Sequence, residues 1–331
     1  MKVLYAIQGT GNGHLSRAMD IVPLLKERVD VDVLVSGIQG DLILPFDVNY
    51  KYHGMSFIFG KKGGVDLLNT FANIKTKKIY KEIKDLNVEK YDLVINDFEP
   101  VSSWAAYYSK VKCIGLSHQA AVMHKKAPKP DKTDIFGQMV LKYYAPTDIN
   151  FGFHFEKYDS SIFTPVIRQQ VRQQVVENKG HYTVYLPSYD EENLIKHLSR
   201  FESIRFDVFS KHTKKSFEHE NLKIRPIDNE KFIKSMATST GVICGAGFET
   251  PAEALFMQKK LLVVPMKNQY EQHCNAAALK NMGVPVIKSL KRKHYDIIED
   301  FFCTDKIVEV NYNDETSSIL DKVLNSASKI K

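Results

Sequence analysis

The sequence is poor in cysteine, and its four cysteines show neither a CxxC pair nor the spacing of metal ligands. This excludes a disulfide framework and a cysteine-based zinc site. No run approaches the roughly 18 apolar residues that a membrane-spanning helix needs. Met1 leads directly into a short strand pattern, without the charged and apolar segments of a leader. We therefore expect a reduced, cytoplasmic protein for which any membrane contact is peripheral.

The chain also lacks repeats and low-complexity tracts. Its 331 residues, 44% of them hydrophobic and 26% charged, are typical of two globular domains. The net charge of +7 indicates an anionic partner, which can be a nucleotide diphosphate, an anionic lipid surface or a nucleic acid. The lysine-rich segments 75–84 and 289–294 lack the aromatic and glycine pattern of an RNA-binding sheet. Nucleic acid is therefore not an expected partner.

The stretch 244–283 is the most informative part of the chain. Gly245 and Gly247 bracket a turn in which backbone can approach a ligand closely. Thr250 and Glu253 follow with the spacing of a helix N-cap and a capping-box acid. The first turn of a helix offers unpaired N–H groups and the positive end of the helix dipole, so a diphosphate would bind there. An ordinary capped helix would use the same residues.

A polar cluster follows the next predicted strand and goes beyond what a capped helix explains. The strand Leu261–Val264 stops at Pro265, and the carboxyl ends of strands in open α/β sheets line the ligand crevice. The polar side chains that crowd the following turn are Gln269, Glu271, Gln272 and Asn275. Their hydrogen-bonding capacity favours a ligand site over a simple connection.

Together these residues resemble the donor-site signature of GT-B glycosyltransferases, especially the MurG-like group, which adds N-acetylglucosamine to a lipid-linked muramoyl peptide. The resemblance implies that a glycine-rich loop and a helix start hold the donor diphosphate, here Gly245, Ala246, Gly247 and Thr250. It also implies that Glu253 binds the ribose hydroxyls, and that Glu271 and Gln272, followed by Asn275, bind the donor sugar. The group has two glutamines where this chain has Glu271 and Gln272, which leaves the donor sugar open.

The N-terminus predicts a strand over residues 2–8, a glycine-rich loop and a helix. The third glycine, Gly13, comes one position too early for a dinucleotide-binding GxGxxG, and no acid ends the second strand, Val31–Ser36. A dehydrogenase is therefore disfavoured. The run GTGNGH resembles the N-terminal signature of MurG-like transferases, in which the loop ends in Gly-His. Gly11 and Gly13 are then expected at the ligand, and His14 matches the histidine of that signature.

Four side chains are candidates for acid and base chemistry. His14 lies where the loop becomes a helix, and its ordinary pKa near 6.5 suits a general base. Asp97 and Glu99 follow a predicted strand, and His118 follows the next one, so adjacent strands would bring them into one crevice with His14. Asp97 or Glu99 could be the base instead of His14 or could orient it. A backbone cap is the competing structural role for His14, Asp97 and Glu99.

Three further segments have weaker predictions. Asp30-Val31-Asp32 is formally a DxD metal motif, but it precedes a strand, so we interpret it as a charged turn and expect no metal site. Ser188 forms a predicted capping box with Glu191 at a place where MurG-like proteins have a glycine-rich loop, and Ile227 falls where relatives hold the nucleobase. Residues 55–78 mix apolar side chains, glycines and lysines, which fits either a contact with an acceptor or an anionic membrane surface, or an ordinary loop.

These observations predict an α/β protein with two doubly wound Rossmann-like domains facing a cleft, the GT-B architecture. We expect an acceptor-side domain over residues 1–160, a nucleotide-sugar donor domain over residues 161–312, and a terminal helix over residues 313–331 that crosses back to the first domain.

The predicted activity is metal-independent, inverting transfer of a hexosyl or N-acetylhexosaminyl group from a nucleotide-diphosphate sugar, with UDP as the expected nucleotide, to a hydroxyl acceptor. The acceptor can be a glycan, a lipid or a small molecule. No cofactor is expected apart from the donor as co-substrate. The alternatives are a nucleotide-sugar epimerase or hydrolase of the same fold, and a non-catalytic subunit that binds nucleotide sugars.

Overall fold

The computed structural model describes residues 1–37, 44–55, 76–132 and 134–330. Within these residues the chain forms two α/β domains, each built on its own sheet. The first sheet has the order β3-β2-β1-β4-β5-β6-β7, and all its pairs are parallel. Its strands are β1 Lys2–Gln8, β2 Asp30–Ser36, β3 Tyr50–Tyr52, β4 Leu93–Asp97, β5 Cys113–Ser117, β6 Ile149–Phe153 and β7 Ile162–Phe163.

The second sheet has the order β10-β11-β9-β8-β12-β13 among the described residues. The β10–β11 pair is antiparallel and the other pairs are parallel. Its strands are β8 His181–Tyr185, β9 Arg205–Ser210, β10 Phe217–His219, β11 Leu222–Pro226, β12 Gly241–Gly245 and β13 Lys260–Val264. The prediction of two doubly wound domains is confirmed.

Helices cover both sheets. In the first domain they are α1 Asn12–Lys26, α2 Thr76–Asp85, α3 Pro100–Ser109, α4 His118–Met123 and α5 Ile135–Tyr143. The short helix α6 Gln169–Arg172 lies in the connection between the domains. The later helices are α7 Glu191–Leu198, α8 Asn229–Thr238, α9 Glu249–Phe256, α10 Tyr270–Asn281, α11 Tyr295–Cys303 and α12 Thr316–Ser326, with 3-10 turns at Arg292–His294 and Ala327–Lys329.

The central strands are apolar without alternation because helices bury both of their faces. Every residue of β4, β5 and β13 is buried, and so are six of the seven residues of β1. The strand order reverses between β1 and β4 in the first sheet and between β8 and β12 in the second. Ligands of open α/β sheets bind at the carboxyl ends of strands at such switch points. The fold therefore directs attention to the residues that follow β1, β4, β8 and β12.

The first sheet extends past the predicted domain boundary at residue 160, because β7 at Ile162–Phe163 pairs with β6. The chain then crosses to the second domain through residues 164–180 and returns through residues 304–315. The terminal helix α12 lies against α1, with Arg28 Nε donating to Asp321 Oδ1 at 2.7 Å. The terminal helix thus contacts the first domain, to which the sequence predicted that it crosses back.

Two predicted helix caps are wrong. Helix α9 begins at Glu249, and no side chain caps it, so Thr250 is its second residue rather than its N-cap. The turn at Gly247 leads directly into the helix, so the helix begins closer to Gly247 than the sequence predicted. Helix α7 is capped by Asp190, which accepts from the backbone N–H of Asn193, and not by a capping box from Ser188. Asp190 stands one position before the helix, where an N-cap belongs.

Candidate active site

A cavity of about 600 Å³ lies between the two domains at the switch points of their sheets. Its wall from the first domain includes Gln8, Thr10, Gly11, Asn12, Gly13, His14, Arg17, Phe98, His118, Gln119, Phe136, Gly137, Val140 and Leu141. Its wall from the second domain includes Tyr185, Pro187, Lys211, Ile227, Gly247, Phe248, Glu249, Met266, Asn268, Gln269, Tyr270, Glu271 and Gln272. The structure therefore brings the N-terminal loop and the residues around 247–272 to one site.

His14 and Asp97 form a hydrogen-bonded dyad at this cavity. His14 stands in the first turn of α1, and Asp97 is the last residue of β4, which pairs with β1. His14 Nδ1 lies 2.8 Å from Asp97 Oδ1. With the proton on Nδ1, the lone pair of Nε2 is left for a substrate proton. Nε2 lies 3.4 Å from the amide nitrogen of Gln119, on the cavity side.

Arg17 lies one helical turn after His14 and completes this cluster. Its Nη2 donates to both carboxylate oxygens of Asp97, at 2.7 and 2.8 Å. Its Nη1 donates to Glu249 of the opposite domain. The side chains of Arg17 and Asp97 are 1% and 0% exposed, so their ion pair is shielded from water, whereas the Glu249 side chain is 20% exposed. The cluster therefore links the His14–Asp97 dyad of the first domain to the start of α9 in the second.

The charges in this cluster shift the pKa values in opposite directions. Burial lowers the pKa of His14, but the carboxylate of Asp97 outweighs burial and leaves that pKa above its ordinary value. Burial raises the pKa of Asp97, but Arg17 and His14 outweigh it and hold that pKa below its usual range. Asp97 thus stays ionised and makes His14 a stronger base than a free imidazole.

His118 is buried and links the two domains. Its Nδ1 lies 2.8 Å from the carbonyl oxygen of Phe153, and its Nε2 lies 2.7 Å from Asn275 Oδ1. Its ring stacks on Phe248 with the centroids 3.9 Å apart. Burial lowers the pKa of His118. Protein groups engage both ring nitrogens at 2.7 and 2.8 Å, so the geometry favours a structural role for His118 in the cavity wall, and its predicted catalytic role stays a prediction.

Glu99 lies outside the cavity, contrary to the prediction of a shared crevice. It is the N-cap of α3 and accepts from the backbone N–H groups of Val101 and Ser102, each at 2.7 Å. It also accepts from Ser36 Oγ at 2.5 Å. Its carboxylate is fully buried and accepts from these three donors. The structural alternative, a helix cap, is therefore the role that the structure shows for Glu99.

The predicted sugar-binding residues lie at the start of α10 and face the first domain. Glu271 Oε2 accepts from Gln119 Nε2 at 2.9 Å, so the two domains meet at this carboxylate. Gln272 also lines the cavity, and its Oε1 accepts from the backbone N–H of Met266 at 2.8 Å. Gln269 lines the cavity directly before the helix. These side chains form a polar wall next to the dyad.

The start of α9 lines the same, second-domain side of the cavity. Gly247, Phe248 and Glu249 line the cavity there. A Cβ on Gly13 would lie 2.9 Å from Glu249 Oε2, so a larger residue there would displace the Glu249 carboxylate. Gly11 has a φ of 89°, a left-handed conformation that favours glycine. Gly13 thus leaves room for the Glu249 side chain beside α1, while Gly11 supplies the left-handed turn before the helix.

Several predicted donor residues do not line the cavity. Glu253 is buried in α9, where Arg168 Nε and Nη2 donate to its two oxygens at 2.6 and 2.8 Å. The pair joins the interdomain connection to α9, so Glu253 serves the fold in this structure. The other predicted residues that do not line the cavity are Ser188, Gly245, Ala246, Thr250 and Asn275.

Sequence reasoning missed Arg17, Gln119 and Glu249. Arg17 follows His14 by three positions on a helix, so the two side chains share a face, and this signal was available. Glu249 is 232 positions from Arg17, and no local pattern joins them. Among residues 1–37, 44–55, 76–132 and 134–330, no group of His, Cys, Asp and Glu has the arrangement of a metal site. In the same part of the chain no helix is long and apolar enough to cross a membrane.

Solved structures of the same architecture are similar to this chain. Arabidopsis thaliana UGT89C1, crystallised with UDP, has a TM-score of 0.60 and 14% identity, with coverage of 100% of this chain and 95% of that one. A UDP-N-acetylglucosamine 2-epimerase has a TM-score of 0.59 and 14% identity, with coverage of 99% and 97%. Acinetobacter baumannii MurG has a TM-score of 0.54 and 12% identity, with coverage of 99% and 98%. At such identities the likeness establishes the fold alone.

The fold and the interdomain site thus define the GT-B class, and the predicted architecture is confirmed. No curated protein matches the sequence. The sequence does match the profile of Glycosyl transferase family 1 over residues 1–304, and the chain belongs to that family. The protein is therefore a glycosyltransferase.

Proposed function

We propose that this protein transfers a sugar from a nucleotide-diphosphate donor, with UDP as the nucleotide, to a hydroxyl group of an acceptor, with His14 as the general base. The observation that carries the proposal is the His14–Asp97 dyad, which faces the start of α9 and the polar wall at Glu271 across one cavity.

The dyad supports removal of the acceptor proton. As the acceptor oxygen attacks the anomeric carbon, its proton passes to His14 Nε2, and Asp97 stabilises the imidazolium that forms. The bond between the anomeric carbon and the donor phosphate oxygen breaks in the same displacement, and the nucleoside diphosphate leaves. A single displacement from the opposite face inverts the anomeric configuration. Arg17 keeps Asp97 ionised throughout and is a positioning residue.

The start of α9 supports binding of the diphosphate. No side chain caps this helix, and Gly247, Phe248 and Glu249 at its start line the cavity, so its first N–H groups and the positive end of its dipole are available to a ligand there. These groups would offset the charge that develops on the leaving diphosphate. Ile227, Tyr185 and Pro187 line the second-domain side of the cavity and offer contacts to the nucleoside.

The polar wall at the start of α10 supports binding of the donor sugar. A carboxylate such as Glu271 accepts hydrogen bonds from sugar hydroxyls, and Gln269 adds an amide that can donate to them. This arrangement suits a neutral hexosyl or N-acetylhexosaminyl group, as the MurG-like resemblance of this segment also implies. For the acceptor we propose only that it carries the attacking hydroxyl group.

A thermal-shift screen with UDP, GDP, TDP and their sugars tests the donor. A ligand at one hundred times its dissociation constant adds about 2.7 kcal/mol to the stability of the folded state. We expect UDP and a UDP-sugar to raise the melting temperature, and UDP release to require an acceptor. Stabilisation by GDP or TDP derivatives alone would contradict the assignment of UDP.

His14→Ala tests the base. We expect stabilisation by UDP-sugar to remain, because the substitution leaves the second-domain wall intact, while the transfer rate falls by about 10²- to 10⁴-fold. The measurement is initial rate of UDP release with a saturating donor. A variant that binds UDP-sugar and transfers at the wild-type rate would exclude His14 as the base.

Epimerisation or hydrolysis of the donor is a second candidate, favoured by the similarity of the fold to a UDP-N-acetylglucosamine 2-epimerase. Such an enzyme would isomerise the sugar or release UDP without any acceptor. Donor turnover measured with and without pools of acceptor separates the two functions.

A further inference from the structure

Gln119, the second residue of α4, stands between the proposed base of the first domain and the polar wall at the start of α10 in the second. Its Nε2 donates to Glu271 Oε2 at 2.9 Å and lies 3.4 Å from His14 Nε2. The residue is 4% exposed. One amide nitrogen therefore contacts both the group proposed to take the acceptor proton and the carboxylate proposed to hold the donor sugar.

The contacts of Gln119 fix the direction in which its amide faces. An ionised carboxylate only accepts hydrogen bonds, so the group next to Glu271 is the NH2 and not the carbonyl. The carbonyl oxygen, Oε1, is buried and has no hydrogen-bond partner among the described residues. The side chain is thus held by Glu271 of the opposite domain, and its NH2 group is the part that lies next to His14 Nε2.

The Gln119 amide covers the nitrogen that the transfer needs. His14 Nδ1 is engaged by Asp97, so Nε2 carries the lone pair that takes a proton. An attacking hydroxyl has to come within about 2.6 to 3.2 Å of that nitrogen. The amide nitrogen lies at 3.4 Å, and no third atom fits between two nitrogens so close together. A nucleophile that hydrogen-bonds to Nε2 therefore competes with the Gln119 amide for one lone pair.

Glu271 can hold the amide and a donor sugar at the same time. Gln119 uses Oε2, while Oε1 lies 4.0 Å from His118 Nε2, beyond hydrogen-bonding distance. A carboxylate has about four acceptor sites, so a sugar hydroxyl can donate to Glu271 without displacing Gln119. The amide can therefore remain at His14 after the donor has bound.

We propose that Gln119 is a positioning residue that keeps His14 from activating water before the acceptor arrives, an inference that rests on the transfer function proposed above. The contact with His14 is long and therefore weak, so an acceptor held by other contacts in the cavity displaces it. Water has no such additional contacts. Without the amide, water attacks the anomeric carbon, its proton passes to His14 Nε2, the bond to the donor phosphate oxygen breaks, and UDP and the free sugar leave.

Release of UDP without any acceptor tests this proposal, with UDP-glucose and UDP-N-acetylglucosamine as the probes. We expect slow release by the wild type and release about fivefold faster by Gln119→Ala, the factor that corresponds to one hydrogen bond. Free sugar should form in the same amount as UDP. A variant that failed to fold would lose this activity, so damage to the structure does not produce a gain. The rise in melting temperature caused by UDP should equal that of the wild type.

Two further variants assign the effect to the contact between Gln119 and His14. Gln138→Ala is the matched control, because Gln138 also contacts the second domain, at Tyr270, but does not line the cavity. It should release UDP at the wild-type rate. In His14→Ala/Gln119→Ala the gain should disappear, because water then lacks its base.

Three results would overturn the proposal. The first is acceptor-free release by Gln119→Ala that equals or falls below that of the wild type. The second is the same gain in Gln138→Ala, which would show that any loosened contact between the domains admits water. The third is a gain that survives the removal of His14. A wild type that binds UDP and requires an acceptor keeps its transfer function in all three cases, whereas a wild type that UDP does not stabilise would overturn both proposals.

Discussion

His14 shares its Nδ1 proton with Asp97, and this contact predicts the pH dependence of the reaction. The base must be neutral to accept a proton, and its pKa lies above the ordinary value near 6.5 because of Asp97. Activity should therefore fall as pH drops through a value above 6.5. In Asp97→Asn the imidazolium loses its carboxylate partner, so the acid limb should move to lower pH while the maximal rate falls.

A profile of kcat/KM against pH measures both effects. Asp92→Asn is the matched control, because Asp92 accepts from the backbone of Lys2 at the other end of β4, far from the cavity. Its acid limb should coincide with that of the wild type. An Asp97→Asn enzyme whose limb also coincides with the wild type would contradict the assignment of His14 as the titrating base.

For Glu253, the motif implied a contact with the ribose, whereas the structure shows an ion pair with Arg168. Its buried pairing with Arg168 predicts that Glu253→Gln destabilises the fold by about 3 to 5 kcal/mol, because the guanidinium then lacks a charged partner. Stabilisation by UDP should remain. Urea unfolding and a UDP thermal shift measure the two quantities. Unchanged stability together with loss of the UDP shift would instead support the ribose role.

The residues of the site were predictable to the extent that they follow strands or lie in glycine-rich turns. His14, Asp97, Glu271 and Gln272 could be selected in this way. Arg17 and Glu249 could not be paired, because their contact depends on how two separately folded domains meet. The sequence left open whether Glu99 is a catalytic carboxylate or a helix cap. The three groups that donate to its carboxylate show that it is a cap.

Among the helices, α3 depends on a single buried cap. Glu99→Ala removes the acceptor of two backbone N–H groups and leaves Ser36 without its partner. We expect a loss of about 1 to 3 kcal/mol of stability in urea unfolding. The activity per folded molecule should be retained, since Glu99 does not line the cavity.

Glu89→Ala serves as a control for Glu99→Ala, because Glu89 is exposed in a turn, and it should change stability by less than about 0.5 kcal/mol. Loss of activity in a fully folded Glu99→Ala enzyme would restore Glu99 as a catalytic candidate.

Strands were easier to predict than helix ends. The buried strands of a parallel sheet are continuous apolar runs, which a sequence displays directly. The start of α9 was placed two residues late, because Thr250 and Glu253 fit a capping box while the turn at Gly247 already leads into the helix. Residues 56–75 of the segment considered for acceptor or membrane contact lie outside the described residues, so that expectation stays a prediction.

For the whole molecule, the terminal helix predicts a strong dependence on the last residues of the chain. Truncation before Thr316 removes Ile319, Leu320 and Val323, which are buried against the first domain. Burial of each such side chain contributes about 1.5 to 3 kcal/mol, so the loss should be about 5 kcal/mol or more. That is comparable with the total stability of many proteins.

Truncation after Ala327 is the control for this experiment. It keeps the buried part of α12 and the contact of Lys112 with the carbonyl oxygen of Ala327. We expect a change of less than about 1 kcal/mol in urea unfolding. Equal stabilities of the two truncated proteins would show that α12 does not support the first domain.

The two crossings between the domains run side by side. Arg172 Nη2, in the outgoing segment, donates to the carbonyl oxygen of Tyr312 in the returning one at 2.8 Å, and Gln169 Nε2 donates to Asp314 Oδ2 at 2.6 Å. Two adjacent, hydrogen-bonded connections permit rotation of the domains about the line through them more readily than sliding along it. We therefore expect the two domains to open by rotation about a hinge axis through residues 164–172 and 312–314.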